Sequence, residues 1–168
     1  MSDIRKLHIV MDLDNCISDD SRRIALIDWD ERDPDRRYRM YHEGAQFDAP
    51  RNKDVYHGAA IDLRAELIII TARPERHRLM TMEWLNEHFS FLPWLLLMRP
   101  EGDHRSSIEL KPRLLVSLAP AGVTPNSVIT CYDDHEGVVN AYKAAGYPAV
   151  VLKIHDVDAY NRPKAVLK

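Results

Sequence analysis

The chain has 168 residues, of which 45% are hydrophobic and 29% are charged, and its formal net charge is −3 at pH 7. This composition is typical of a folded domain and excludes a disordered chain, and the charge excludes a global positive field for nucleic acid. The longest apolar runs fall well short of the roughly 18 residues of a membrane span.

The start of the chain, "MSDIRKLHIVMD", lacks the long apolar core of a signal peptide. The two cysteines, Cys16 and Cys131, indicate a reducing compartment rather than a disulfide framework. We therefore expect a cytoplasmic protein with no membrane association and no obligate protein partner. We also expect one domain over residues 1–168.

Alternating short apolar runs and helical patterns follow one another along the chain. Five nearly continuous runs predict buried strands at 7–14, 66–72, 92–99, 127–133 and 149–154. Helical spacing predicts helices over 52–66, 74–89, 106–120 and 135–146, with Leu79 and Ile108 among their buried residues. This alternation predicts a doubly wound α/β fold with a mainly parallel sheet of about five strands.

A charged segment, residues 19–51, separates the first strand from the first long helix. It is longer than an ordinary strand-to-helix connection, so we interpret it as a small functional insert or a lid. It contains at most two helical pieces, around 20–30 and 34–43. Its basic stretch "RDPDRRYR", with Tyr38 and nearby Trp29, offers charge and stacking surface for bases, although a solvated helix face explains it equally well.

Polar side chains stand at the ends of the predicted strands, where ligands bind in open α/β sheets. Four carboxylates at one edge would repel one another strongly, and a divalent cation with oxygen ligands, most simply Mg²⁺, resolves that conflict. Thr71, the turn through Ala72 and Arg73, and Lys111 supply the hydroxyl, backbone N–H groups and positive charge of an anion site. Together they indicate a phosphate site. The carboxylates are Asp12, Asp14, Asp133 and Asp134.

Four motifs in the same order resemble those of the haloacid dehalogenase-like (HAD) phosphohydrolases. "DLDNC" resembles their DxDx[T/V] motif, "IIITAR" their second motif, Lys111 their lone lysine and "YDD" their acidic metal motif. The text "TARPERHRLMTMEWL … MRPEGDHRSSIELK … YDDHEGVVNAYKAAG" is similar to the phosphatase domains of phage polynucleotide kinase/3′-phosphatases and their stand-alone phage and bacterial relatives. The resemblance covers nearly the whole chain and implies a three-layer Rossmann-like fold. No GxxxxGK[ST] loop occurs in the sequence, so we expect no kinase domain.

The resemblance also implies roles for individual residues. Asp12 would be the nucleophile that forms an aspartyl-phosphate, and Asp14 the general acid and base, with its backbone carbonyl ligating Mg²⁺. Asp133 and Asp134 would hold the metal directly or through water, and Lys111 would pair with Asp12 and the phosphate. The residues that would contact the phosphate or the substrate are Thr71, Ala72, Arg73 and Arg23.

Each of these positions also has a structural interpretation. The aspartates suit solvated strand ends or helix N-caps, Thr71 suits an N-cap, and the arginines suit surface salt bridges. The four motifs together favour the functional interpretation.

The first motif departs from the usual D-x-D-G-T at Asn15 and Cys16. Asn is the non-glycine residue that best tolerates a left-handed conformation, so we expect the turn to keep its geometry. Cys16 is similar in size to Thr, and we expect it to pack beneath the loop. A cysteine phosphatase would need an HCxxxxxR loop, which is absent from the sequence.

Three functions follow from these observations. The first is a Mg²⁺-dependent phosphomonoesterase that acts on the 3′-phosphate of a polynucleotide end. The second is a nucleotidase or another small-metabolite phosphatase. The third is a non-enzymatic interaction protein with a HAD fold, which the intact aspartates and Lys111 oppose. The sequence leaves open 3′ against 5′ phosphate, DNA against RNA, and the oligomeric state.

Overall fold

The computed structural model describes residues 6–61 and 65–154. A five-stranded parallel sheet has the order β5-β4-β1-β6-β7. Its strands are β1 (His8–Met11), β4 (Glu66–Pro74), β5 (Leu95–Arg99), β6 (Val128–Asp133) and β7 (Ala149–Val151). All four neighbouring pairs are parallel, which confirms the predicted α/β fold with a mainly parallel sheet.

Successive strand residues point to opposite sides of the sheet. Because the residues on both sides are apolar, helices cover both faces. On one face Ile9 and Met11 pack with Tyr56 of α3 (Lys53–Ile61) and Trp84 of α4 (Arg78–His88). On the other, Val10 and its neighbours pack against α5 (Ser107–Val116) and α6 (Glu136–Ala144). The result is a three-layer arrangement with a core on each side of the sheet.

The strand order fixes where a ligand can bind. From β1 the chain proceeds outward through β4 and β5, then crosses back to β6 on the opposite side of β1. The order therefore reverses between β1 and β6, and the crevice outside the carboxyl ends at such a point is the ligand site of open α/β sheets. Asp12 follows β1, and Asp133 ends β6.

The 19–51 segment contains short helices between two short strands. Its base is a two-stranded antiparallel ladder of β2 (Ser18–Asp19) and β3 (Ala49–Pro50), with α1 (Pro34–Arg37) and α2 (Arg39–Glu43) between them. The predicted helical piece at 34–43 is present as α1 and α2. The piece at 20–30 is wrong, since only a 3-10 turn at Ile24–Leu26 forms there.

Two predicted core positions are also wrong, although their helices are present. Leu79 is 72% exposed, because α4 buries Thr81, Trp84 and Leu85 instead. Ile108 is 41% exposed and lines a cavity at the sheet edge. The predicted helix 52–66 is observed as Lys53–Ile61, and positions 62–64 lie outside the described residues.

Candidate active site

The floor of the site is a buried lysine between two carboxylates. The Nζ atom of Lys111 lies 2.8 Å from Oδ1 of Asp12 and 2.7 Å from Oδ2 of Asp133. Lys111 reaches them from the first turns of α5, which begins with a capping box between Ser106 and Glu109. Burial alone would lower the pKa of Lys111, but Asp12 and Asp133 raise it well above its ordinary value, so the side chain stays a cation.

Three carboxylates gather beside this lysine. One oxygen from each of Asp12, Asp133 and Asp134 lies within 4.8 Å of the others. Burial, only partly offset by Lys111, raises the pKa of Asp12, and the neighbouring acids raise it further. Lys111 alone therefore does not compensate this negative charge.

The donor set fits a hard divalent cation. Carboxylate oxygens are the ligands that Mg²⁺ takes in proteins. Asn15 Nδ2 donates to Asp134 Oδ2 at 3.2 Å, and the backbone N–H of His135 donates to Asp133 Oδ1 at 3.0 Å, so both carboxylates are oriented. The structure thus brings together three of the four predicted metal residues by their side chains. The fourth, Asp14, directs its carboxylate elsewhere.

The Asn15–Cys16 turn has the predicted geometry. Asn15 has a φ of 57°, in the left-handed region. Cys16 is buried beneath the loop, and its thiol donates to the carbonyl oxygen of Leu152 at 2.9 Å. Burial, with Asp12 and Asp133 nearby, raises the pKa of the Cys16 thiol well above its ordinary value, which opposes a thiolate nucleophile. The departure from the usual motif is therefore a structural replacement.

Asp14 is held by two arginines. Arg73 donates from Nε at 3.0 Å and from Nη2 at 2.6 Å to Oδ1 of Asp14, and Arg23 donates to the same oxygen through Nη2. Burial would raise the pKa of Asp14, but the two guanidinium groups outweigh it and hold that pKa far below its usual range. Asp14 is therefore a carboxylate in this conformation.

Of the four predicted phosphate-binding residues, three are buried and one lines the cavity. Arg73 and Arg23 are 0% and 2% exposed, and their guanidinium groups contact Asp14 rather than open space. The Thr71 hydroxyl is buried and accepts the backbone N–H of Arg73 at 3.2 Å. Ala72 lines the cavity. In this structure Arg23, Arg73 and Thr71 therefore contact groups of the protein itself, and Ala72 lines the cavity; their predicted contacts with phosphate remain a prediction.

Asp48 is a part of the site that sequence reasoning missed. Its carboxylate is buried and accepts from Arg23 Nε at 2.9 Å and from the Ser18 hydroxyl. It thus fixes the arginine that contacts Asp14. No spacing signal marks this acid in the sequence, because it lies 25 residues from Arg23, at the far end of the 19–51 segment.

A cavity of about 510 Å³ opens above this floor. Asp12, Asp14, Lys111 and Asp134 form its base. The 19–51 segment contributes one wall and the loop that follows β5 contributes another. Arg99, the last residue of β5, also lines the cavity. The wall residues from these two segments include Trp29, Asp35, Arg37, Tyr38, Tyr41, His42, Asp103, His104 and Arg105. A volume of this size suits a ligand as large as a nucleotide.

Ion pairs join the two walls. Arg76 contacts Asp35 of α1 at 3.1 Å and Glu101 of the loop after β5 at 2.6 Å. The 19–51 segment is thereby tied to the sheet-bearing part of the protein at the cavity. Of the helices within residues 6–61 and 65–154, none combines the length and hydrophobicity that crossing a membrane requires.

Solved structures share this architecture. A chain of the Pnkp1/Rnl/Hen1 complex is 20% identical with a TM-score of 0.66, covering 93% of this chain and 48% of that one. CbbY from Rhodobacter sphaeroides, solved with phosphate, is 15% identical over 88% of this chain and 86% of its own, with a TM-score of 0.60. A HAD-superfamily hydrolase from Geobacter sulfurreducens is 16% identical over 88% and 87%, with a TM-score of 0.55.

This chain spans about half the length of the matching chains of the Pnkp1/Rnl/Hen1 complex. Comparisons with known protein families and with curated proteins gave no match. The structural likenesses, together with the parallel sheet, show that the chain has the fold of the HAD-superfamily hydrolases, as its four ordered motifs predicted.

Proposed function

We propose that the protein is a Mg²⁺-dependent phosphomonoesterase that works through an aspartyl-phosphate on Asp12. The observation that carries this proposal is the contact of a cavity-lining carboxylate, Asp12, with a buried lysine beside two further carboxylates. A nucleophile needs its lone pair free of a proton. Lys111 favours the ionised form of Asp12, but burial still raises the pKa of Asp12, so a divalent cation at the three carboxylates would complete the stabilisation of the ionised nucleophile.

The proposed reaction has two steps. In the first, an Asp12 oxygen bonds to phosphorus, the bond from phosphorus to the ester oxygen breaks, and the departing oxygen takes a proton from Asp14. In the second, Asp14 takes a proton from water, the water oxygen bonds to phosphorus, and the Asp12–phosphorus link breaks to release phosphate. The proton that Asp14 gives in the first step returns in the second.

The arginine contacts bear on the two halves of this cycle. Asp14 as described here is ionised, which is the form that accepts a proton from water. The first half requires a protonated Asp14, so the contacts of Arg23 and Arg73 must loosen before it. A divalent cation held by Asp12, Asp133 and Asp134 would act as a Lewis acid and offset the negative charge of the carboxylates and the phosphoryl group.

For the substrate we propose the 3′-phosphate of a polynucleotide end, with a mononucleotide as the alternative. Trp29 and Tyr38 line the cavity and are partly exposed, so their rings provide surfaces on which a base can stack. The 19–51 segment forms one wall of the cavity and so favours a ligand of nucleotide size. This observation is the reason for retaining a nucleotidase as the alternative function. A chain of the Pnkp1/Rnl/Hen1 RNA repair complex among the structural neighbours supports including RNA ends in the test.

The test is phosphate release from para-nitrophenyl phosphate and from nucleotide substrates, with Mg²⁺ or with a chelator. Asp12→Asn should lower the rate by at least about 1,000-fold. The matched control is Asp30→Asn, which changes an exposed acid of the 19–51 segment and should leave the rate unchanged. Full activity of Asp12→Asn, or equal rates without Mg²⁺, would refute the mechanism.

The substrate is decided by a panel of 3′- and 5′-phosphorylated DNA and RNA oligonucleotides and the corresponding mononucleotides. A higher kcat/KM for 3′-phosphorylated oligonucleotides supports the polynucleotide end, and a preference for mononucleotides supports the alternative.

A further inference from the structure

The four arginines that line the cavity fall into two groups. Arg76 and Arg105 each form ion pairs, Arg76 with Asp35 and Glu101 and Arg105 with Asp103. Arg37 and Arg99 also line the cavity, yet within the part of the chain that the structure describes neither has a carboxylate oxygen within 4.0 Å. Their positive charge is therefore not matched by an ion pair.

Arg99 is fixed in place without being neutralised. Its Nε donates to the carbonyl of Ala72 at 3.0 Å, and its Nη1 donates to the carbonyls of Asp103 at 2.9 Å and Arg105 at 2.6 Å. The neutral carbonyls orient the guanidinium group but do not cancel its charge. Burial lowers the pKa of Arg99 because the cation is partly removed from water, and the Asp103 carboxylate, which forms no ion pair with it, opposes that shift. Among the described residues no acceptor contacts Nη2.

Arg37 repeats this arrangement on the other wall. It is the last residue of α1, it is half-buried, and its Nε donates to the carbonyl of Glu31 at 2.8 Å. Its two Nη groups have no acceptor within residues 6–61 and 65–154. Two oriented guanidinium groups that form no ion pair with the described residues thus line one cavity, and an anion would supply the acceptors that their free Nη groups lack.

We propose that Arg37 and Arg99 form a subsite for a second phosphate of the substrate, apart from the phosphate that reacts at Asp12. Guanidinium groups bind phosphate oxygens with paired, charge-assisted hydrogen bonds. Lys111 cannot serve this second group, because its Nζ contacts Asp12 and Asp133. The inference rests on the proposed function and deepens it: the substrate is a phosphomonoester that carries another phosphate, as a second monoester or as the phosphodiester of a chain.

The test compares three substrates that differ in the second phosphate: a nucleoside 3′-monophosphate, the nucleoside 3′,5′-bisphosphate and a 3′-phosphorylated dinucleotide. We expect the wild-type protein to show at least a 10-fold lower KM for one of the latter two than for the monophosphate, about 1.4 kcal/mol of binding. Preference for the bisphosphate identifies a monoester at the subsite, and preference for the dinucleotide identifies a diester.

Arg99→Gln and Arg37→Gln should each reduce this KM ratio about 10-fold, because each removes charge-assisted bonds to the second phosphate. Arg39→Gln, an exposed arginine of the neighbouring helix α2, is the matched control and should keep the wild-type ratio. The melting temperature of each variant shows whether the substitution has unfolded the surrounding structure. Arg37→Gln tests the subsite independently of the contacts that Arg99 makes with backbone carbonyls.

Equal KM values for the three substrates in the wild-type protein would overturn the subsite. So would variants that raise KM for all three substrates alike. Calorimetry on Asp12→Asn in Mg²⁺ gives the dissociation constant of each substrate, and the ratios of these constants are compared in the same way. If no substrate is hydrolysed but binding of the bisphosphate or dinucleotide depends on Arg99 and Arg37, the subsite stands and the proposed function fails.

Discussion

Replacement of Lys111 by methionine tests the charge balance at the floor of the cavity. Lys111 is 3% exposed and contacts Asp12 at 2.8 Å and Asp133 at 2.7 Å, so the substitution leaves two buried carboxylates beside Asp134 without their cation. Removing one partner of a buried ion pair costs about 3–5 kcal/mol, because the remaining charge stays buried and unpaired. We expect a loss of that size in the free energy of unfolding when no divalent cation is present.

The assay is urea denaturation with a chelator and again with excess Mg²⁺. Mg²⁺ should stabilise Lys111→Met more than the wild-type protein, because the ion restores positive charge to the same carboxylates. Lys143→Met, at an exposed position of α6, should change stability by less than about 0.5 kcal/mol. The double variant with Asp133→Asn should lose less than the sum of the two single losses, since the two changes remove one shared interaction.

A loss below about 1 kcal/mol in Lys111→Met would refute this reasoning, because it would place the lysine outside the buried network. Phosphate release provides a second readout. The same variant should lose activity even in Mg²⁺, since the cation that stabilises ionised Asp12 is gone.

Three further changes test other contacts of the site. Arg73→Lys should lose about 1.5–3 kcal/mol in urea denaturation, because an ammonium cannot reproduce the paired bonds to Asp14; a loss no larger than that of Arg22→Lys, at an exposed position, would contradict this. Cys16→Ser should keep phosphate release within about threefold of wild type, because a buried thiol with a raised pKa is not a nucleophile, and an abolished rate with a folded protein would restore the cysteine hypothesis. Burial lowers the pKa of His42 to about 3, with Arg23 and Arg73 adding to the effect and Asp14 opposing it. The unfolded chain therefore binds this proton first, and stability should fall by up to about 1.4 kcal/mol per pH unit from about pH 6.5 towards pH 3. His42→Gln should lack that contribution, so the wild-type stability curve should fall more steeply than the variant's over this pH range; identical slopes would contradict the assignment.

Several features of this protein follow from local sequence patterns. Continuous apolar runs predicted all five strands of the sheet, because strands buried on both faces need no alternation. The carboxylates of Asp12 and Asp133 were predicted to meet because residues after parallel strands share one edge, and Lys111 joins them. Asn15 was predicted to hold a left-handed turn, which its φ of 57° confirms. Each of these predictions rests on periodicity, residue chemistry or ordered motifs.

Other features depend on contacts that no local pattern encodes. The resemblance suggested phosphate or substrate contacts for Arg23 and Arg73, which remain a prediction, but it gave no sign that both contact Asp14, 9 and 59 residues away. The reason is packing: burying a charged guanidinium group is costly unless it is paired, and only the folded chain determines which carboxylate is within reach. Asp48 likewise contacts Arg23 only in the folded chain, because the ladder of β2 and β3 brings the two ends of the 19–51 segment together.

The shape of the cavity is likewise a tertiary property. The sequence marked residues 19–51 as unusual by length and charge, but Trp29, Arg37 and Tyr38 line the same cavity as Arg99 at the end of β5 only because the segment folds back over the sheet edge. The sequence by itself determined which residues form the floor of the cavity, since strand ends and ordered motifs place Asp12, Asp134 and Lys111 there. Only the tertiary structure decided what surrounds that floor, because the walls come from segments that are far apart along the chain.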